Sequence, residues 1–116
     1  MRKGVDIKCD ANNDVHAPFE GEVVRQSCPY KWDEKHGRSP INDGVLIKGT
    51  GSSNSFKDYY VRLFYINGYQ VGAKLGAGDK VGRHVDMQDD YPGITEHVHL
   101  QLEKPERTVI DPTGYL

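Results

Sequence analysis

Hydrophobic and polar residues alternate in short runs along this chain, and most runs end at a turn-forming residue. From Gly4 to Cys9, Val5, Ile7 and Cys9 share one side, while Gly4, Asp6 and Lys8 share the other. The turn-like run Asp10-Ala11-Asn12-Asn13-Asp14 follows, then a short strand Val15-His16-Ala17 that stops at Pro18. Glu20-Gly21 opens a strand that runs on through Glu22-Val23-Val24-Arg25-Gln26. Pro29 to Asn42 is polar, carries Trp32, and predicts a long loop. Asp43-Gly44 is a turn signal before Val45-Leu46-Ile47-Lys48, and Gly49 to Asn54 is a Gly/Ser loop. Tyr59 to Ile66 reads as the most hydrophobic strand and is closed by Asn67-Gly68. Gly72 to Val81 predicts a tight glycine corner, and Asp86 to Thr95 an acidic loop. The last long strand is His97 to Glu103, where Val98, Leu100 and Leu102 face a core and His97 and His99 a polar face. There is no amphipathic helical stretch, no repeat and no linker. The pattern predicts an all-β sheet, sandwich or open barrel in one domain over residues 1–116.

Composition narrows the function. With 15 Lys and Arg against 17 Asp and Glu, the net charge is -2, so no global basic field points to nucleic acid. No apolar run approaches the length of a membrane span, so membrane insertion is not expected. Met1-Arg2-Lys3 leads straight into a strand, which leaves no room for a signal peptide. That leaves a cytosolic protein or a module excised from a longer chain.

The candidate chemistry is sparse. His97 and His99 stand one strand repeat apart and can share a metal ion or a substrate. Cys9 and Cys28 can form one disulfide or remain two thiols, and their spacing matches no zinc or redox motif. His16, His36 and His84 lack partners at ligand spacing and read as surface histidines. Lys31, Lys35, His36 and Arg38 around Trp32 make a small basic and aromatic patch in the long loop, a candidate protein contact. Asp86, Asp89 and Asp90 lack the spacing of a calcium loop, and Ser52, Ser53 and Ser55 lack a nucleophile elbow.

The ordered set Gly4-Val5-Asp6, Ala17-Pro18-Phe19-Glu20-Gly21-Glu22-Val23, Gly78-Asp79-Lys80-Val81-Gly82 and His97-Val98-His99 resembles the lysostaphin-type zinc endopeptidases. Phe64-Tyr65-Ile66, Tyr91-Pro92-Gly93-Ile94 and Asp111-Pro112-Thr113-Gly114-Tyr115-Leu116 are more similar still to one branch of that fold, the leukocyte cell-derived chemotaxin-2 and myeloid protein family. The resemblance covers essentially the whole chain and implies a lysostaphin-like antiparallel sheet or open barrel with long loops. It also implies a zinc site made of a His-x-x-x-Asp and the second His of a late His-x-His, with two further catalytic histidines. Carried over, Asp6 matches the Asp ligand, His99 the second His ligand and His97 the first His of the pair. Arg2 stands where the remaining ligand His belongs, and a guanidinium has only donors to offer. Ile66 stands where the other catalytic His belongs.

On this resemblance the chain is expected to be a pseudoenzyme, a secreted module recognising a cell-surface receptor or adhesion protein. No cofactor is expected. The alternatives are a residual zinc-binding signalling module, with zinc at Asp6 and His99, and an active zinc endopeptidase on glycine-rich or peptidoglycan peptides. The resemblance further implies that a vestigial groove is floored by Asp6, His97, His99 and Ile66. Cys9 matches a family cysteine whose partner lies in an N-terminal segment, so Cys9 has lost that partner or Cys28 replaces it. A second family cysteine pair is replaced by Tyr60 and Glu103.

Overall fold

The computed structural model describes residues 4–29, 41–88 and 91–110, so Arg2, Lys31, Trp32, Lys35, His36, Arg38, Asp89 and Asp90 lie outside the described residues. Ten strands are described: β1 (Val5–Lys8), β2 (Asp14–His16), β3 (Gly21–Gln26), β4 (Gly44–Gly49), β5 (Tyr60–Phe64), β6 (Ile66–Asn67), β7 (Lys74–Leu75), β8 (Lys80–His84), β9 (His97–Glu103) and β10 (Val109–Ile110). All pairings are antiparallel. They build an open seven-stranded sheet in the order β1-β9-β5-β4-β3-β7, with β10 also on β9, and a three-stranded sheet β2-β8-β6. The all-β, open antiparallel architecture expected from the pattern is the one observed.

β9 organises the large sheet. One of its edges pairs with β5 along Phe64↔His99 to Tyr60↔Glu103. Its other edge takes β1 over Lys8↔His97 to Val5↔Leu100, and then β10 at Leu102 and Glu103. Val98, Leu100 and Leu102 join Val45, Ile47, Val61 and Leu63 in the main apolar cluster, as alternation requires. The tight corner over 72–81 holds one short pairing, since Leu75 of β7 sits opposite Gly21.

The long hydrophobic run does not make one strand. It breaks at Tyr65, which takes a left-handed φ of 72°. The chain leaves the large sheet there and enters the small one, where Ile66 pairs with His84. A bulky residue pays for that conformation with strain, and the surroundings hold it. Tyr65 N–H donates to Asp43 O at 2.8 Å, and its carbonyl accepts from Val85 N–H and from His84 Nδ1, each at 2.9 Å.

The expected surface position of His84 is therefore corrected: it is 0% exposed. Its Nε2 donates to Glu96 Oε1 at 2.9 Å, so both ring nitrogens face acceptors and both bonds form only when each carries a hydrogen. Glu96 also accepts from Met87 N–H and from Gln88 Nε2, and Gln88 in turn binds Ile94 O and Gly93 N–H. The segment read as a solvated acidic loop is thus anchored, with Met87 buried in a second cluster beside Ile41, Tyr65 and Val85. Ile41, the end of the expected long polar loop, is fully buried in that cluster.

The expected polar face of β9 is also packed. Glu103 is buried between two arginines: Arg62 Nε donates at 2.7 Å and Arg107 Nε at 3.1 Å. Arg107 lies 4.1 Å from the centre of the Tyr60 ring, and Tyr60 faces Glu103 in register. The positions the family resemblance gives to a cysteine pair therefore carry an electrostatic clasp.

Two expectations follow. Arg62→Met leaves Glu103 without its shorter bond in a buried setting and should cost about 2–4 kcal/mol. Arg107→Ala, whose side chain is 42% exposed, should cost under about 1 kcal/mol; urea melts of the two variants check the order. Burial alone would raise the Glu96 carboxyl, but hydrogen bonds from Gln88, Met87 and His84 outweigh it and hold the group below its ordinary 4.5. With the folded value depressed, its share of stability is complete above that pH and is lost as pH falls through the folded value. Glu96→Gln should be less stable than the parent at neutral pH and lose less on acidification, as denaturant melts across pH would show.

Candidate functional site

Register places Asp6, His99 and Phe64 in one row across β1, β9 and β5, with His97 one repeat away opposite Lys8. His99 Nδ1 donates to Asp6 Oδ1 at 2.7 Å, and its ring stacks on Phe64 at 5.7 Å between centroids and 7° between planes. His97 Nδ1 donates to Thr95 O at 2.8 Å, its Nε2 lies 3.8 Å from Asp6 Oδ1, and Tyr65 meets its ring edge-on at 5.3 Å. So the left-handed Tyr65, locked by His84, also supports the histidine pair.

The pair is not presented on an open polar face, which corrects the alternation reading. His99 is 3% exposed. A Cβ built on Gly4 would stand 2.5 Å from His99 Cε1 and Nε2 and 2.7 Å from Leu100 O, so the imidazole packs flat on the start of β1 and only glycine leaves it room. Asp6 is the accessible member, its side chain 47% exposed. An imidazole oriented by a carboxylate through Nδ1–H can serve a general base at Nε2. Here that nitrogen is turned towards Gly4 inside the packing, which suits a held ring better than a reacting one.

A catalytic zinc takes three protein ligands and keeps a fourth position for water. Asp6 and His99 aim their donor atoms at one another, but what joins them is a hydrogen bond. Among the described residues no group of three or more His, Cys, Asp or Glu could hold a metal ion. Arg2 lies outside the described residues, so those that are described do not themselves fit a zinc site.

Ile66 does not floor this row. It sits fully buried in the main apolar cluster, on the other sheet, and Phe64 and Tyr65 take the places against the histidines. Sequence reasoning missed Gly4, Phe64, Tyr65, His84 and Glu96. Glycine two residues before Asp6 and the aromatic pair opposite the histidines were the available signals.

The remaining candidates are scattered. Cys9 and Cys28 are both free, so the candidate disulfide does not form. Cys9 packs against the main cluster, while Cys28 is exposed at the far end of β3. Burial pushes both thiols up, which disfavours a reactive thiolate at either. His16 is exposed and bonds Gly78 O through Nδ1 at 3.0 Å, and Ser52, Ser53 and Ser55 are exposed loop residues. The patch of Trp32, Lys35 and Arg38 lies outside the described residues. On the opposite face of β1 a groove of about 310 Å³ opens between the two sheets, walled by Ile7, Val15, Pro18, Leu63 and Val98.

Gly4→Ala tests the packing of the pair. It should cost on the order of 1–3 kcal/mol and displace His99, read as a shift of its imidazole signals in a two-dimensional NMR spectrum while those of His16 stay in place.

No family model matches the chain. Over its whole length it is 33% identical to leukocyte cell-derived chemotaxin-2 of Bos taurus, matching 66% of that protein. Over 98% of its length it is 36% identical to myeloid protein 1 of Gallus gallus, matching 30% of that protein. The chain thus spans just under two thirds of the chemotaxin relative and under one third of the myeloid protein. The catalytic domain of the antimicrobial peptidase lysostaphin from Staphylococcus simulans superposes with a TM-score of 0.65 at 17% identity, over 99% of this chain and 78% of that one. Such low identity speaks to the fold alone. Full-length similarity, the Gly4-Val5-Asp6 and His97-Val98-His99 strands in register and the open antiparallel sheet agree: this chain belongs to the leukocyte cell-derived chemotaxin-2 and myeloid protein family, on a lysostaphin-type peptidase fold.

Proposed function

We propose that this chain is a catalytically inactive peptidase-like module that works outside the cell, without zinc, as a recognition domain for a cell-surface receptor or adhesion protein. One observation carries the reading: in the segment where the peptidases hold a further catalytic histidine, the side chains that meet His99 and His97 are the rings of Phe64 and Tyr65, and the next residue, Ile66, is buried in the apolar core. That His99 and Asp6 already bond each other supports the same reading. The name of the relatives, a leukocyte-derived chemotaxin, supports an extracellular role directed at cells. Among the described residues, no helix is long and apolar enough to cross a membrane.

Incubation with a glycine-rich peptide, with and without zinc, is expected to give no cleavage; cleavage that a chelator stops would overturn the pseudoenzyme reading. Dialysis against zinc followed by metal analysis is expected to leave well under one ion per chain. A stoichiometric ion abolished by His99→Ala would instead favour the zinc-binding module. Labelled protein should bind leukocyte surfaces saturably, and substitution of Trp32, Lys35 and Arg38 by alanine together should weaken that binding. Purely linear, uncompeted uptake would argue against a receptor.

A further inference from the structure

β1 is the outer strand of the large sheet, and among the described residues no strand pairs with its free edge. Ile7 is 46% exposed, one of three large hydrophobic side chains left so among the described residues, and it lines the 310 Å³ apolar groove. On the other face of the strand Asp6 and Lys8 stand on either side of Ile7 and carry opposite charge. An edge of this kind invites another strand.

We propose that the free edge of β1 is an interface for a second copy of this chain, the two β1 strands pairing antiparallel about a two-fold axis through Ile7. Charge selects both the occupant and the register. A two-fold perpendicular to the sheet sets the central residue against its own copy. Centred on Asp6, it opposes two carboxylates. Centred on Lys8, it opposes two ammonium groups and sets Asp6 against Asp10. Centred on Ile7, it sets Asp6 against Lys8 of the second copy twice over, Ile7 against Ile7, and Val5 against Cys9. Directly opposed residues of opposite charge stabilise a sheet and like charges destabilise it. A one-residue slip would turn the apolar side of one strand onto the polar side of the other. Val5, Ile7 and Cys9 of both copies share one face in this register, and of the three registers it alone opposes no like charges. That face is the groove side, so the two grooves lie next to each other on the joined sheet and Ile7 is covered from both directions. The lysine that would repel an indiscriminate strand thereby becomes the element that picks out this one.

Sedimentation equilibrium from micromolar to near-millimolar concentration is expected to show a reversible dimer. Ile7→Asp should leave only monomer, and Lys8→Glu should raise the dimer Kd about tenfold or more, since two attractive pairs become repulsive. With Cys9 and Cys28 replaced by serine, Ile7→Cys should oxidise to a disulfide-linked dimer, because directly opposed residues lie within disulfide reach. Val24→Cys, exposed elsewhere, is the control and should not. Circular dichroism melts establish that each variant is folded. A monomeric parent at the highest concentration, a dimer untouched by Ile7→Asp, or a dimer Kd that Lys8→Glu leaves unchanged would each overturn the proposal.

Discussion

Everything placed on the large sheet depends on the register of β9. The strand has β5 on one edge and β1 followed by β10 on the other, so it sets three neighbours at once. Side chains on a strand alternate, and a slip of one residue would send His97, His99 and Glu103 into the main core and Leu100 and Leu102 out of it. The hydrogen bond from His99 to Asp6 and the clasp around Glu103 sit at opposite ends of the same face. They penalise a slip from both ends, while the apolar face penalises it from below. The histidine row thus acts as a register device.

Much of the fold was legible because period-two alternation reports directly which face meets a core. Val98, Leu100 and Leu102 fell where alternation put them, and Asp43-Gly44 opened β4 as a turn signal should. Alternation is silent about whether the second face is wet. It could not show that Phe64 and Tyr65 would wall that face off, since they come from a segment distant in sequence. It also could not show the break at Tyr65, where three consecutive hydrophobic residues, Phe64, Tyr65 and Ile66, hide a left-handed turn. His84 looked like a lone histidine because its partners, a backbone carbonyl and Glu96, have no spacing signature.

The site shows the same division. Asp6 and His99 were brought together as the family resemblance implied, whereas Ile66 was not, because the kink at Tyr65 sends it to the other sheet. Such a kink costs strain, and here a buried imidazole, a carboxylate and a glutamine stabilise it. The same arrangement that seats Tyr65 against His97 keeps the next residue out of the groove.

Tyr60 and Glu103 occupy facing positions where the family resemblance implies a pair of cysteines, and both cysteines of this chain are free. A covalent bridge resists acid and fails in the presence of a reductant. An ion pair flanked by a cation over an aromatic ring is indifferent to thiols. At these two positions the chain exchanges a link that a reductant would cut for contacts that it does not touch.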